Sequence, residues 1–224
     1  MKFIQTDLAH IEQAKGLVVV IDVLRAFSTA CYAFHNNAYT ILPVETVEEA
    51  LELHKKHSDY LLLGERHGKP IEGFAYTNSP AQIKSVDFSD RTIIMTTSQG
   101  TKGIMRATHA DEVITGSFVN SSAIVDYINH KLPSTVNFVC TDASYPDNED
   151  YMCASYIQHA LEHTPMDFDK IIAHLRNHPC TDGFLKHPLT EYSREDFALC
   201  MQVNTFPFVI QAKKIDGMLH LVKL

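Results

Sequence analysis

The chain has 224 residues, 45% of them hydrophobic, which is enough for one large α/β domain with a substantial core. Nineteen basic against 27 acidic side chains leave a formal net charge of −8. That excludes a general affinity for nucleic acid or an anionic membrane, so an anionic ligand must be drawn by a few placed cations.

Taken in chain order, the first strong element is Leu17–Ala26, LVVVIDVLRA, in which a run of apolar β-branched residues delivers Asp22 and Arg25 to a strand-to-helix junction. Strands buried on both faces read as continuous apolar runs, and in open α/β sheets ligands collect beyond their carboxyl ends. Strands are predicted near Leu17–Ile21, Tyr39–Pro43, Tyr60–Gly64, Thr92–Thr96, Glu112–Thr115 and Val136–Cys140. The segment Thr46–His57 opens with a capping box, Thr46 and Glu49, and puts Val47, Ala50, Leu51 and His54 on one face. Tyr151–His163 repeats the helical spacing. Asn177–Pro188, rich in breakers, reads as a long loop. A helix over Ser193–Asn204 then precedes a hairpin, Phe206–Lys214 with Met218–Lys223, turning at Asp216-Gly217 and expected at a mixed or antiparallel edge.

Short apolar runs alternating with helical segments predict a three-layer α/β/α architecture on a mostly parallel, mixed sheet. The reading is one domain over 1–224, with a small C-terminal subdomain at about 165–224 left open. The five cysteines, Cys31, Cys140, Cys153, Cys180 and Cys200, are widely spaced and contain no CxxC pair, which argues against a disulfide framework or structural zinc. No apolar stretch approaches the ~18 residues of a membrane span, and the N-terminus lacks an apolar signal region, so a cytoplasmic protein is expected. Of the thirteen histidines, His54, His57, His130, His159 and His163 fall at helical spacings or ends, and no HxH or HExxH pattern marks a zinc site.

Five polar clusters fall at predicted strand ends. They are Asp22 with Arg25; Gly64-Glu65-Arg66; Thr77-Asn78-Ser79-Pro80; the hydroxyl-rich Thr96–Thr101; and Glu149-Asp150, which opens a helix after a loop holding Asp142, Tyr145 and Asp147. A loop such as Thr96–Thr101 ahead of a helix can turn several N–H groups and hydroxyls toward one phosphate. Each cluster has an ordinary structural reading. Acids in a first helical turn commonly serve the macrodipole, Thr96–Thr101 lacks the Walker ending, and Glu65-Arg66 could be a surface ion pair. Asp22 resists that reading, because an acid directly after four apolar residues is costly to bury without a metal or a hydrogen-bonded partner.

In order along the chain, VVVIDVLRA, ILPVETVEEA, LLLGERHGKPIEGFAYTNSP, IIMTTSQGTKGI, VITGSFVNSSAI and EDYMCASY resemble the 2-phosphosulfolactate phosphatase family, with DFALCMQVNTFPFVI a weaker match. The resemblance implies a magnesium-dependent phosphohydrolase of α/β/α fold that converts 2-phospho-3-sulfolactate to 3-sulfolactate, a step toward coenzyme M or sulfolactate itself. It implies catalytic roles for Asp22, Arg25 and Glu65, and Mg²⁺ held by Asp22, Glu149 and Asp150. It places Arg66, Asn78, Ser79, Thr96, Thr97, Gly100, Thr101, Lys102, Ser117 and Asn120 around a small anionic phosphorylated substrate. This chain departs from the family pattern at Thr77, Ser98 and Gln99, at Lys102 where arginine is usual, and in the glycine-poor loop TDASYPDN. Lys102 keeps the charge but loses the planar fork.

Metal-assisted hydrolysis asks the protein mainly for positioning and charge neutralisation. On this reading the hydroxyls and N–H groups of Thr96, Thr97, Gly100 and Thr101 hold phosphoryl oxygens. Arg25, Arg66 and Lys102 neutralise the leaving group's acid, and Glu65 or Asp22 orients water. An aspartyl phosphate on Asp22 stays open, although the Asp-x-Asp spacing of haloacid-dehalogenase phosphatases is absent, since residue 24 is leucine. Two other readings remain: a non-catalytic sensor of a phosphorylated or sulfonated metabolite, and a phosphatase for another phosphorylated hydroxy acid. The residues leave self-association open.

Overall fold

The apolar run Leu17–Ile21, buried at every position, forms a central strand, and its alternation assigns its side chains to two different cores. The computed structural model describes residues 1–186 and 192–224. Its strands are β1 (Lys2–Asp7), β2 (Leu17–Ile21), β3 (Thr40–Pro43), β4 (Leu61–Gly64), β5 (Thr92–Thr96), β6 (Glu112–Gly116), β7 (Thr135–Cys140), β8 (Ile210–Ile215) and β9 (Met218–Lys223). They form one sheet in the order β1-β7-β2-β6-β8-β9-β3-β5-β4. Pairing is parallel within β1-β7-β2-β6 and within β3-β5-β4, so the sheet is mostly parallel and mixed, as the apolar runs predict. The strand β1 is absent from the sequence reading, because KFIQTD is a half-exposed edge with no apolar run.

The hairpin is the main correction. It does not lie at an edge: β8 pairs antiparallel with β6, and β9 pairs antiparallel with β3, so the hairpin joins the two parallel blocks. Its polar tip, turning at Asp216 and Gly217 with φ of 49° and 85°, reads like an edge. Its base is core, with Ile210 and Leu221 fully buried. The stretch Asn177–Pro188 also differs from the expected loop, for it contains a 3-10 turn at Pro179–Thr181 and a helical turn at Asp182–Leu185, while Pro188 lies outside the described residues.

The helices are α1 (Ala26–His35), α2 (Val47–Lys56), α3 (Pro80–Ile83), α4 (Gly100–Arg106), α5 (Ser121–Lys131), α6 (Glu149–Leu161), α7 (Phe168–Leu175), α8 (Asp182–Leu185) and α9 (Arg194–Cys200). The capping box of α2 forms as the sequence indicates. Every residue of α1 from Ala26 to Phe34 is buried, so this helix is enclosed on all sides. Its cluster takes Val18 and Val20 from one parallel block and Ile41, Ile93 and Met95 from the other. On the opposite face Val19, Ile21 and Phe138 pack against Ile128 of α5, Ile157 of α6 and Leu175 of α7. Gly64 is needed where β4 meets β5, because a Cβ there would lie 2.0 Å from the Thr96 carbonyl oxygen. Among the described residues no helix is long and apolar enough to cross a membrane.

Because the hairpin joins the two blocks, Leu221→Ala is expected to lower unfolding free energy by about 2–5 kcal/mol. Urea denaturation measures this, and a loss under ~1 kcal/mol would show that the blocks hold together without it.

Candidate active site

A cavity of about 410 Å³ lies beyond the carboxyl ends of β2, β4, β5 and β7, lined by Asp22, Arg25, Glu65, Ser98, Asp142 and Glu149 among others. The chain leaves β2 with the Asp22 N–H donating to the Gly116 carbonyl at 3.2 Å. Asp22 Oδ1 accepts from Ala26 N–H at 2.8 Å and so starts α1. Gly100 lets α4 press against this carboxylate: a Cβ there would lie 2.7 Å from Asp22 Oδ2.

Glu149 and Asp150 are the first residues of α6, whose cap Asn148 accepts from the Asp150 and Tyr151 N–H groups at 3.1 and 3.2 Å. Asp150 Oδ1 accepts from Val23 N–H at 2.9 Å. Its Oδ2 accepts from Thr141 N–H at 3.0 Å, the Thr141 hydroxyl at 3.1 Å and Asp142 N–H at 3.1 Å. With four donors on its two oxygens, Asp150 fastens the β2 and β7 exits to α6. Burial and the neighbouring Glu149 and Asp22 push its pKa up, while these donors favour the anion.

Asp22 and Glu149 are different. Burial pushes the Asp22 carboxyl up to about 6, with Glu65 and Asp142 adding repulsion. Burial likewise takes Glu149 to about 7. Glu149 Oε2 is buried with no hydrogen-bond partner among the described residues. An orphaned, desolvated carboxylate oxygen in one cavity with a second buried carboxylate is what a divalent cation would satisfy, so the residues fit a hard metal ion. Asp150 does not complete a three-ligand group with them, because its oxygens face backbone donors. Among the described residues the one three-residue group spaced to hold a metal is Asp147, His174 and His178, compatible with a metal-dependent enzyme. The sequence reading passed over it; its signal is the four-residue spacing of the two histidines in HLRNH.

Arg25 brings a guanidinium to the cavity. Its Nη1 donates to Asp196 Oδ2 at 2.8 Å, both side chains being 2% exposed. Its guanidinium lies 4.9 Å from the Tyr192 ring centroid and 5.7 Å from that of Phe184. Asp196 Oδ1 also accepts from the Ser79 hydroxyl at 2.7 Å and Ala81 N–H at 3.0 Å, which fixes the turn carrying Asn78. Asn78 lines the cavity with its Oδ1 buried and unpartnered among the described residues. Asp196 escaped the sequence reading because an acid three residues after Ser193 looks like an ordinary first-turn acid.

Several residues expected to touch substrate are turned to other partners. The Glu65 carboxylate accepts from Gly68 N–H at 2.6 Å, Ser98 N–H at 2.6 Å and the Ser98 hydroxyl at 3.0 Å, tying two loops together. Arg66 donates to the Glu65 and Glu45 carbonyls and to the Thr96 hydroxyl, away from the cavity. Thr97 and Thr101 close on each other: the hydroxyl of each accepts the other's N–H at 3.1 Å. The Ser117 hydroxyl lies 2.6 Å from that of Ser28, and Asn120 accepts from the Ser117 N–H. Lys102, half-buried on α4, does not line the cavity among the described residues. His67, Ser98, Gln99, Phe184 and Tyr192 do line it, although only sidechain placement in three dimensions shows this.

The two raised carboxyls give a signed pH dependence. Without metal both bind protons more tightly folded than unfolded, so their contribution to stability falls as pH rises from about 4 through 6 and 7. A divalent cation reverses this, so the Mg²⁺- or Mn²⁺-induced rise in Tm is expected to be greatest at roughly pH 8 and to shrink through pH 7 and 6. Thermal melts at fixed metal measure it, and a rise independent of pH would place the ion away from Asp22 and Glu149.

Comparison with known proteins gives the family of this chain. The sequence profile of the family described as 2-phosphosulpholactate phosphatase matches residues 3–214. A Bacillus subtilis protein named "Probable 2-phosphosulfolactate phosphatase" is 31% identical over 201 residues, 89% of this chain and 87% of that protein. Relatives of the same name from Caldicellulosiruptor saccharolyticus and Thermotoga maritima are each 39% identical, over 62% and 64% of this chain and 59% and 62% of their own length. From the first strand to the central hairpin, therefore, the chain belongs to the 2-phosphosulpholactate phosphatase family.

Proposed function

We propose that this protein is a Mg²⁺-dependent phosphatase of the cytoplasm that hydrolyses the phosphate monoester of a small anionic hydroxy acid, 2-phospho-3-sulfolactate before others. The observation that carries the reading is the buried Asp22–Glu149 pair, with an orphaned Oε2, in one cavity with Arg25. The names of the relatives supply the substrate. The five free cysteines support a reducing compartment.

Asp22 and Glu149 would hold the ion, leaving most positions to water and phosphoryl oxygens, as Mg²⁺ prefers. The bound ion supplies charge neutralisation at the transferred phosphoryl group. Arg25, held by Asp196, binds an acidic group of the substrate and sets its orientation. The Asn78 amide offers a further polar contact. Glu65, committed to three donors, keeps the Ser98 loop in place. A carboxylate oxygen of Asp22 or Glu149 that does not hold the ion would take the proton of the attacking water. Thr97 and Thr101 brace the start of α4 behind Asp22.

A panel of phosphorylated hydroxy acids assayed for phosphate release, with Mg²⁺ and with EDTA, tests the proposal. Turnover is expected only with metal, and Asp22→Asn should lower kcat by about 10²-fold or more. Tight binding of the same compounds with no phosphate released would favour a sensor, and full turnover in EDTA would remove the metal.

A further inference from the structure

We infer that the protein carries a second metal site, for an ion of the zinc class, built from Asp147, His174 and His178 outside the cavity. His174 lies in the last turn of α7, and His178 follows four residues later, their ring centroids 5.2 Å apart. Asp147 comes from the loop between β7 and α6. One ligand atom from each of the three side chains lies within 4.8 Å of the others.

The spacing suits a metal. His178 Nε2 is 3.2 Å from Asp147 Oδ1, and His174 Nε2 is 3.4 Å from Asp147 Oδ2. Two ligands each about 2.0–2.1 Å from a tetrahedral zinc ion stand about 3.3–3.4 Å apart, so an ion can enter with small side-chain adjustments. Before it enters, the carboxylate accepts from His178 Nε2 at 3.2 Å, and His174 Nε2 lies 3.0 Å from the Asp147 carbonyl oxygen.

Donor chemistry separates this site from the cavity. Two imidazoles and a carboxylate suit Zn²⁺, Ni²⁺, Cu²⁺ or Co²⁺, whereas the all-oxygen pair Asp22 and Glu149 suits Mg²⁺. The ring of His178, 7% exposed, is fixed by Tyr145 packed edge-on at 5.0 Å and by Cys180 Sγ 2.9 Å from Nδ1. When Nε2 takes a metal the ring proton sits on Nδ1, and the Cys180 sulfur is the acceptor in reach; the Cys180 N–H, now donating to that nitrogen at 3.2 Å, must turn aside. His174 and Asp147 are 39% and 50% exposed, which gives the ion an entry path and leaves a fourth position to water. Because Asp147 precedes Glu149 by two residues, an ion here would clamp the loop carrying Asp142 to the end of α7.

Zn²⁺ titration by calorimetry, with Co²⁺ absorption as the coordination probe, decides the matter. One equivalent of Zn²⁺ is expected to bind the wild type and the Asp22→Asn/Glu149→Gln variant alike, and Co²⁺ should show four-coordinate visible bands. His174→Ala and Asp147→Asn should each weaken Zn²⁺ at least about tenfold, the loss typical of even an outer-shell partner. Both positions are partly exposed, and His174→Ala should retain Mg²⁺-supported phosphate release. If the cavity variant does not fold, the same comparison is made on wild type in large Mg²⁺ excess. Zn²⁺ affinity unchanged in His174→Ala and Asp147→Asn, binding lost with the cavity carboxylates alone, or no binding to wild type would each overturn the site and leave only imidazole–carboxylate hydrogen bonds.

Discussion

The arrangement of this site depends on one carboxylate whose two oxygens are taken up by four donors. Asp150 gathers the backbone N–H groups of Val23, Thr141 and Asp142 and the Thr141 hydroxyl onto two oxygens. Those donors belong to the exits of two adjacent strands; the Thr141 N–H is shared with the Ile21 carbonyl at 3.1 Å, whereas the Val23 and Asp142 N–H groups would each cost about 1–3 kcal/mol if left unpaired and buried. Satisfying them from the first turn of α6 fixes Glu149 one residue away and Asp22 one residue before Val23. The acid at the helix start thus orders the backbone and sets the positions of Glu149 and Asp22 beside it.

Charge then explains why the cavity calls for cations. Asp22, Glu65, Asp142, Glu149 and Asp150 converge on it, and Arg25 is already committed to Asp196. Glu65 and Asp150 are compensated by N–H donors, which leaves the deficit on Asp22 and Glu149, where burial has raised both pKa values. A bound divalent ion is often the largest local charge in such a site and reverses that logic. The fold supplies the geometry by enclosing α1, so that its N-terminal neighbours Asp22 and Arg25 are held from both parallel blocks.

Much of this was legible because it is local. Apolar runs mark β2 and β5 to the residue, Thr46 and Glu49 mark the start of α2, and Asp22, Arg25, Glu149 and Asp150 stand at the strand exits where α/β enzymes place chemistry. What escaped depends on distant partners. Whether a hairpin is central or peripheral is set by which strand edges remain open, and DG turns are the same in both cases. Asp196 meets Arg25 across 171 residues, and the hydroxyls of Thr97 and Thr101 each accept the other residue's backbone N–H. A sequence shows that a side chain can accept or donate; the folded chain decides with whom.

On the proposed function three acids divide the labour, with Asp150 organising the backbone and Asp22 and Glu149 left for the ion. Anomalous diffraction from crystals soaked in Mn²⁺ tests it directly. The expected result is a peak bound by Asp22 and Glu149, with Asp150 still accepting from Val23, Thr141 and Asp142. A peak coordinated by Asp150 in place of those hydrogen bonds, or no peak in the cavity, would contradict it.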